Sequence, residues 1–533
     1  MSKEYLSRKD IKLDGVDLEK HYPLLTPSMG SGKTYFVFSG ELKNVYESHS
    51  NRKIDIVIYA TPTKALKNQT LIDYAGNATP LTEYDLFYPD LDDKRIRVCC
   101  VSQLGKILQE NTVRPAFTYL LVIDEFDEYA KWCNCHSDKL YLWDWIESNR
   151  HDVMFCGITA TPKLLTKYAE RLGFKDITPD VPVKHKAKNI RIWPHTSIET
   201  LAKGFKADSD NKMLIYTRSA KQCVKLSRMI ENSGFLVSTY NKDVDEESGK
   251  QLNTLMSEQL VDDGENLPSP LLDYVLSKAN LPPNINVLII NDAYAAGINI
   301  KDESVKRVLA ESVEVDTVKQ VMGRVRHDIE SLDVCYTFKD KKYFETTVSD
   351  ANECYAGNVS IEDRHEREQK EIEVAEQNDS NLELDILTYK SNYDGEIKPN
   401  PFAHAYYEYT NETYFRLRDR VSRCLVYAPL AQHSPNGIRW LNQSTIDSFR
   451  EHGRNQSKVE NMNLSEWLGR KLFKEDKKEL VKQLSLRNGK GRVSSWPTAK
   501  KYLIELGYEI KDSNTVVNGK SKRYSMIKIH TKL

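Results

Sequence analysis

Short apolar segments alternate with longer amphipathic ones over the first third of the chain. The apolar segments are rich in β-branched and aromatic residues, which is typical of buried parallel strands. They lie at residues 54–60, 97–101, 119–123 and 153–158. Polar turns and helix-compatible stretches follow most of them, the order expected of βαβ units. The pattern predicts a doubly wound α/β domain over residues 1–185, with a hinge at 176–189.

The same alternation returns over residues 186–344, which predicts a second α/β domain. Its apolar segments lie at 212–216, 286–290 and 333–338. The polar, acidic stretch at 241–283 interrupts them and is predicted to be an insertion. We therefore expect two tandem α/β lobes, followed by a mixed accessory region at 345–440 whose pattern fits no single class.

Residues 441–533 have the outline of a winged-helix-like domain. A helix is predicted to begin at Ser495 and Trp496, with a capping serine and an early proline, and to end at Gly507. Two β-rich stretches then flank Asn518-Gly519, the pair that tight hairpin turns favour. Positive side chains mark this helix and hairpin as a nucleic-acid surface. They are Lys500, Lys501, Lys520, Lys522 and Arg523.

Charge is distributed unevenly, although the net charge of the chain is −1. Residues 441–533 carry 20 Lys and Arg against 10 Asp and Glu, whereas residues 345–385 carry 13 acidic and three basic residues. A basic module on a nearly neutral body is the electrostatic footprint of nucleic-acid binding. A solvated basic face is the alternative that charge alone leaves open.

Composition is that of a folded protein, with 40% hydrophobic residues. No apolar run approaches the roughly 18–20 residues that cross a bilayer, so no membrane association is expected. The first residues lack the apolar stretch of a signal peptide. The nine cysteines are scattered, which favours a reducing compartment. We expect a cytoplasmic protein, associated with a nucleoid or with the cytoplasm of a host.

A glycine-rich turn at residues 29–34 reads Met-Gly-Ser-Gly-Lys-Thr. In a phosphate loop of this kind, backbone N–H groups wrap the phosphates, the lysine reaches the terminal phosphates and the threonine holds Mg²⁺. The residues with these roles are Gly30, Ser31, Gly32, Lys33 and Thr34. Pro27 stands where the full pattern has glycine, and an ordinary glycine-rich turn is the alternative interpretation.

Two carboxylates follow the predicted strand at 119–123. Asp124 and Glu125 would emerge at the carboxyl edge of the sheet, beside the phosphate loop. There Asp124 would act on Mg²⁺, and Glu125 would polarise the attacking water. A helix N-cap is the common alternative for such a pair, but a phosphate loop in the same lobe favours the nucleotide site.

Arginines in the second lobe could supply the positive charge that phosphoryl transfer needs. Closure of the lobes would bring Arg324 or Arg326 to the γ-phosphate as an arginine finger, and the sequence leaves open which of them it is. Asp292 and Gly297 follow a predicted strand of the same lobe and would lie near this interface. Surface ion pairs are the alternative role for the two arginines.

Taken in chain order, the glycine-rich turn, the carboxylate pair and the late arginine segment resemble the motifs of superfamily 2 helicases of the DEAD/DEAH-like type. The resemblance covers roughly residues 22–340. The resemblance implies two RecA-like lobes, the cofactors ATP and Mg²⁺, and a nucleic-acid strand across both lobes. It assigns Gln320 to the catalytic arginine block, and to Thr159 and Thr161 the coupling of hydrolysis to movement. The side chains that it places along the sugar-phosphate backbone are Thr63, Lys64, Ser102, Gln103, Thr217 and Arg218.

The sequences of two of these segments point to a narrower group of helicases. Residues 29–34 and 320–326 resemble the replication origin-binding helicases of large DNA viruses and related phage or plasmid proteins. The Asp-Glu-Phe-Asp block at 124–127 is near the DEAD type, yet the second arginine of the late block comes two residues after the first, where DEAD-box RNA helicases have three.

The sequence therefore predicts an ATP-dependent DNA helicase or translocase for replication, recombination or repair of a phage or mobile genome. Its substrate would be single-stranded or forked DNA. An RNA helicase or remodeller is one alternative, and an origin-binding initiator whose ATPase is a switch is another. A motor subunit that depends on a replication protein bound at 345–440 is a third.

Two weaker patterns favour packing over chemistry. Cys133, Cys135 and His136 offer soft ligands, but a zinc site needs a fourth ligand and a wider spacing. The tyrosines at 406–414 could stack on bases, although core packing is the stronger interpretation.

Overall fold

The computed structural model of this chain describes residues 6, 11–27, 31–161, 165, 172–179, 186–239, 241–261, 268–295, 297–337, 360–377, 386–419, 422–460, 462, 464–486, 495–505, 508–517 and 520–529. The chain divides into two compact units. One comprises Met1–Arg191 and Ala207–Arg439, and the other comprises Ile192–Lys206 and Trp440–Leu533. This division differs from the four domains expected from sequence, whose boundaries stay a prediction.

The first lobe is built on a seven-stranded sheet in the order β3-β4-β2-β5-β6-β1-β7, and its paired strands are parallel. Its strands are β1 (Tyr22–Leu25), β2 (Ile56–Thr61), β3 (Ala78–Pro80), β4 (Ile96–Cys100), β5 (Tyr119–Asp124), β6 (Val153–Ile158) and β7 (Phe174–Asp176). Its helices are α1 (Lys33–Phe38), α2 (Glu41–Ser50), α3 (Lys64–Asp73), α4 (Tyr84–Phe87), α5 (Val101–Glu110), α6 (Phe126–Trp132) and α7 (Ser137–Ser148).

Both faces of this sheet are buried, which explains the unbroken apolar runs in its sequence. Along β5, Leu121 and Ile123 belong to one hydrophobic cluster, while Leu120 and Val122 belong to the cluster on the opposite face. Side chains alternate across a strand, so a strand covered on both sides needs apolar residues at every position. The four strands predicted from sequence in this lobe are confirmed.

The second lobe has another seven-stranded sheet, in the order β10-β13-β9-β14-β15-β8-β18. Its strands are β8 (Ala187–Pro194), β9 (Lys212–Tyr216), β10 (Ser233–Leu236), β13 (Val287–Ile290), β14 (Val305–Glu311), β15 (Ile329–Tyr336) and β18 (Ile438–Trp440). The helices from 198 to 324 are α8 (Ile198–Gly204), α9 (Ala220–Met229), α10 (Leu252–Ser257), α11 (Leu271–Lys278), α12 (Asp292–Ala295) and α13 (Val315–Arg324). Within the predicted insertion, β11 (Leu260–Val261) pairs with β12 (Ser269–Pro270). The predicted fold of two doubly wound, RecA-like lobes is confirmed.

The accessory region is joined to the lobes. It contains α14 (Ile361–Gln377), the strand pair β16 (Thr388–Lys390) and β17 (Ile397–Pro399), α15 (Pro401–Arg418), α16 (Arg423–Tyr427) and a 3₁₀ turn at Ala428–His433. Phe402 packs on the first lobe, with its ring centroid 4.9 Å from that of Trp143. Tyr427 contacts the second lobe, where its hydroxyl donates to the Ser312 carbonyl at 2.6 Å. One segment thus contacts both lobes.

The tyrosines of α15 serve packing, as expected. Tyr407, Tyr409 and Tyr414 are buried, and Tyr409 belongs to the hydrophobic cluster of the first lobe. Of the acidic stretch at 345–385, residues 345–359 and 378–385 lie outside the described part of the chain.

The second compact unit contains α17 (Gln443–Glu460), a 3₁₀ turn at Ser465–Trp467, α18 (Lys474–Leu484), α19 (Trp496–Glu505) and the hairpin of β19 (Tyr508–Val517) and β20 (Lys520–Ile529). The predicted basic helix and hairpin are therefore present. Gly204, at the end of α8, lies against Phe449 so closely that a Cβ there would be 2.1 Å from the ring. No helix within the described residues is long and apolar enough to cross a bilayer.

Candidate nucleotide site and nucleic-acid contacts

The predicted phosphate loop joins β1 to α1 at the carboxyl edge of the first sheet. Gly32, which precedes the helix, has φ 84°, a left-handed conformation that glycine adopts without strain. Lys33 and Thr34 open α1, the helix end that favours anions. Ser31 is buried, and its hydroxyl has no hydrogen-bond partner among the described residues. Gly30 lies outside the described residues.

Asp124 ends β5 at the same edge, and Glu125 follows it as the residue before α6. Since β1, β6 and β5 are adjacent and parallel, their carboxyl ends bring these carboxylates to the phosphate loop. Burial, and next the charge of Glu125, raise the pKa of Asp124 to about 6. Burial opposes the ionisation of Glu125 too, but the nearby cations Lys33 and Arg324 outweigh it and lower its pKa.

Tyr59 is a site residue that the sequence analysis missed. It lies in β2 with its side chain fully buried, and its hydroxyl lies near the side chains of Asp124 and Thr34, so that burial and next the charge of Asp124 raise its pKa well above the ordinary value. These are the two side chains predicted to hold Mg²⁺. Within the buried strand at 54–60, Tyr59 carries the side-chain hydroxyl, and that polar group was the available signal.

Arg324 comes from the second lobe and contacts the catalytic edge of the first. Its guanidinium donates to Glu125 at 3.1 Å, and the two side chains are only 7% and 12% exposed. The Oε2 atom of Glu125 and the Nε atom of Arg324 have no partner among the described residues. Arg326 makes no hydrogen bond to Glu125 within the described residues, and its guanidinium donates instead to the side chain of Asn299. The geometry favours Arg324 as the finger.

A second buried cluster joins the lobes beside this pair. Asp127, in the first turn of α6, accepts hydrogen bonds of 2.5 Å from the hydroxyls of Thr159 and Thr161. The Gln320 amide of α13 donates to the same carboxylate at 2.9 Å. The predicted coupling residues and Gln320 are thus brought together. The carboxylate that organises them was part of the Asp-Glu-Phe-Asp block but was assigned no role from sequence.

Asp292 and Gly297 lie at the predicted strand end of the second lobe. Asp292 begins α12 with one residue between it and the end of β13, accepts a hydrogen bond from the Tyr216 hydroxyl and lies 3.7 Å from Arg218. Gly297 follows, with its N–H donating to the Tyr294 carbonyl at 3.2 Å. In the described contacts both serve the second lobe, and neither touches the phosphate loop.

The residues predicted to line a nucleic-acid backbone differ in their exposure to solvent. Thr63 caps α3 by accepting from the Leu66 N–H, and Lys64 beside it is exposed. Arg218 is 57% exposed. Thr217 differs from the prediction, because its side chain is buried and its hydroxyl donates to Glu311 at 2.8 Å.

Ser102 and Gln103 open α5 and bond to lysines of their own lobe. The Ser102 hydroxyl accepts from Lys139 at 2.8 Å, and the Gln103 side chain accepts from Lys67 at 2.9 Å. These contacts place both residues beside positive charge. They leave the predicted backbone contacts a proposal.

The basic residues of the C-terminal unit divide into two groups. Lys500 donates to Asp512 at 2.6 Å, and Arg523 lies 3.8 Å from the same carboxylate. Lys501 and Lys522 are exposed. The backbone of Lys520 begins β20, but its side chain lies outside the described residues.

Zinc ligation has no support in the described residues, where no group of three or more His, Cys, Asp or Glu side chains could hold a metal ion. Cys133 is buried and Cys135 is partly buried.

Comparison with known proteins finds only remote structural likenesses. No family model and no curated protein match the chain. It is similar to a solved structure of the DEAD-box helicase Mss116 bound to ssRNA and UDP-BeF, at 15% identity and a TM-score of 0.39, covering 64% of this chain and 71% of that one. It is also similar to S. cerevisiae Dbp5 bound to RNA and ADP BeF3, at 12% identity and a TM-score of 0.39, covering 64% and 86%. Likenesses of this size do not show a family.

Proposed function

We propose that this chain is an ATP-dependent helicase or translocase that acts on DNA in the replication, recombination or repair of a phage or other mobile genome. The observation that carries the ATP-hydrolysing part of the proposal is the buried pair of Arg324 and Glu125, and DNA as the polymer rests on the resemblance of residues 29–34 and 320–326. The pair places an arginine of one lobe at the edge of the other lobe where Lys33, Thr34 and Asp124 meet. That is the composite geometry that a nucleoside triphosphatase with two lobes needs.

The donor set fits Mg²⁺ and a nucleotide. Asp124 and Thr34 offer the hard oxygen ligands that Mg²⁺ prefers, and the Tyr59 hydroxyl lies beside both. When bound, the ion neutralises charge on the β- and γ-phosphates. Lys33 and the N-terminus of α1 would hold the same phosphates from the protein side.

Arg324 links hydrolysis to the arrangement of the lobes. A γ-phosphate gives its guanidinium a second anionic partner, which releases Glu125 to accept a proton from the attacking water. Because Gln320 on the same helix bonds to Asp127, movement of α13 would be transmitted to Thr159 and Thr161. Nucleic acid that orders the two lobes would thereby set the rate of hydrolysis.

The test is ATP hydrolysis measured without polymer and with single-stranded, duplex or forked DNA, or with RNA. The Lys33→Ala variant is the blank, because it keeps the fold but lacks the phosphate-binding lysine. Stimulation by DNA above that blank is expected, with less from RNA. Stimulation mainly by RNA would replace the DNA assignment with an RNA remodeller. Hydrolysis that stays at the blank with every polymer would refute an autonomous motor.

A further inference from the structure

The C-terminal hairpin has two chemically different faces. β19 and β20 pair in one continuous register from Tyr508 opposite Ile529 to Val517 opposite Lys520. Directly opposed residues lie on the same face, and the face alternates at each step. Ile527 and Ser525 are buried, and Ile527 belongs to the core of the unit. The face that they share with Ile510 and Asp512 is therefore the inner one.

On the inner face the carboxylate of Asp512 pairs with a lysine of the preceding helix. Asp512 accepts hydrogen bonds from Lys500 and from the Ser525 hydroxyl, and Arg523 lies 3.8 Å away. The hydrogen bond from Lys500 is the largest of the causes that lower the pKa of Asp512. Lys500 and Asp512 are each less than one-third exposed. Lys500, one of the cations predicted from sequence to contact nucleic acid, is thus held by a carboxylate of the protein, whereas Arg523 stays 75% exposed.

The outer face is basic and open. The register puts Lys511, Lys522 and Lys528 on it, all exposed. Lys522 and Lys528 have no ion-pair partner within the described residues, and Lys511 has the carboxylate of Glu509 at 3.2 Å. Tyr524 lies between the lysines along β20.

A further lysine lies over the middle of this face and adds to its positive charge. The segment before α18 runs beside β20, with Leu472 bridged to Ser525. It carries Lys471, whose ammonium group lies 5.0 Å above the Tyr524 ring and 3.5 Å from the Thr515 hydroxyl. Positive charge therefore lies at the tip, in the middle and at the base of the outer face, with polar and aromatic side chains between the lysines and Glu509 opposite Lys528 at the base.

The dimensions of the face suit a groove. At about 3.4 Å per residue the ribbon is roughly 33 Å long. Lys522, near the tip, and Lys528, near the base, are six residues apart on β20, or about 20 Å. A B-form major groove is about 12 Å wide and admits a two-stranded ribbon. The lysines at the two ends would reach the phosphates on both sides while the middle faced the bases.

We propose that this outer face enters the major groove of B-form duplex DNA, with Lys511, Lys522 and Lys528 on the flanking phosphates. The inference rests on the proposed function and names the polymer that the C-terminal unit holds. The major groove of an RNA duplex is too narrow and deep for a ribbon.

The test is binding of the full chain to a labelled DNA duplex, an RNA duplex of the same sequence and a single DNA strand, over a range of salt. The triple variant Lys511→Gln, Lys522→Gln, Lys528→Gln removes the outer charges and keeps the side-chain lengths. Lys474→Gln, Lys478→Gln, Lys482→Gln is the matched control, since it removes equal charge from exposed positions on α18 in the same unit. Circular dichroism and thermal melting check that both variants fold.

We expect the hairpin variant to bind duplex DNA at least tenfold more weakly, and its plot of log affinity against log salt to be shallower by about 2.7, or roughly 0.9 for each phosphate contact. The α18 control should change little. Equal losses in the two variants, or equal losses on DNA and RNA duplexes, would overturn the inference. A wild-type chain that binds duplex DNA while the hairpin variant binds it equally well overturns the inference and leaves the proposed function intact. A wild-type chain that binds no nucleic acid overturns both.

Discussion

The side-chain amide of Gln320 donates a hydrogen bond of 2.9 Å to the carboxylate of Asp127, 193 residues away in the other lobe. The same carboxylate accepts the hydroxyls of Thr159 and Thr161. All of these side chains are buried. A buried acceptor with three donors fixes their geometry, because losing any donor leaves an unsatisfied polar group at a cost of about 1–3 kcal/mol. One carboxylate thus holds the end of β6 and the start of α6 against α13.

This carboxylate should make stability depend on pH. Burial, and next the charge of Glu128, raise the pKa of Asp127 to about 7. The folded state therefore binds this proton more tightly than the unfolded state, so stability from this group falls as pH rises from about 4 to about 7, by at most about 1.4 kcal/mol per pH unit. The Asp127→Asn variant lacks the titration, and its free energy of unfolding should rise relative to wild type over that range.

Urea unfolding at pH 5, 6, 7 and 8 measures this difference. Asp210→Asn, a change at an exposed position, is the control and should parallel wild type. Parallel curves for the Asp127→Asn variant and wild type would contradict the prediction.

Arg324, which ends α13, and Arg326, in the turn after it, should contribute unequally to ATP hydrolysis. Arg324→Ala is expected to lower the DNA-stimulated rate constant about 10³-fold at saturating ATP, as loss of an arginine finger does. Arg326→Ala, which removes a side chain bonded to Asn299, should cost much less. Single-turnover hydrolysis by the two variants tests the order, and a larger loss for Arg326→Ala would reverse the assignment.

Tyr59→Phe should change the requirement for Mg²⁺. The hydroxyl that it removes lies beside Asp124 and Thr34, and a polar interaction of this kind is worth about 1 kcal/mol, or roughly fivefold. The Mg²⁺ concentration for half-maximal ATP hydrolysis should rise by about that factor.

Tyr46→Phe is the control for this change. Tyr46 is also fully buried in the first lobe, and its hydroxyl donates to the Phe155 carbonyl at 2.9 Å. It should lose stability without a change in the Mg²⁺ midpoint. The same midpoint shift in both variants would show that Tyr59 acts only through the fold.

Asn400 should be the most sensitive position of the accessory region. The oxygen of its side-chain amide caps α15 by accepting from the Phe402 and Ala403 N–H groups. The nitrogen of the same side chain donates to the Cys133 and Ile386 carbonyls at 2.8 and 2.7 Å. Asn400→Ser keeps a cap and should cost about 2 kcal/mol. Asn400→Ala loses the cap as well and should cost about 3 kcal/mol. Urea unfolding compares them, and equal stability of wild type and Asn400→Ala would contradict this role.

Part of the candidate site was predictable because its signals are local. The strand ending at Asp124 and the glycine-rich turn before Lys33 each show in a few consecutive residues, and parallel strands bring such ends together. The Tyr59 hydroxyl is visible as a polar group within its strand, but a tyrosine inside an apolar strand is ordinary, so that signal alone did not assign it to the site. Only the pairing of β2 with β5 puts its hydroxyl beside Asp124. The contact of Asp127 with Gln320 spans two lobes and leaves no pattern in either segment.

The sequence by itself determined the two doubly wound lobes, the phosphate loop with its carboxylates, and the basic helix and hairpin, because hydrophobic periodicity and turn chemistry are short-range properties. Tertiary structure decided which arginine reaches Glu125, which basic residue of the C-terminal unit is bound by Asp512, and that residues 386–433 pack on both lobes. These outcomes depend on strand register and on contacts between residues far apart in the chain. A shift of one residue in register would exchange the two faces of the hairpin.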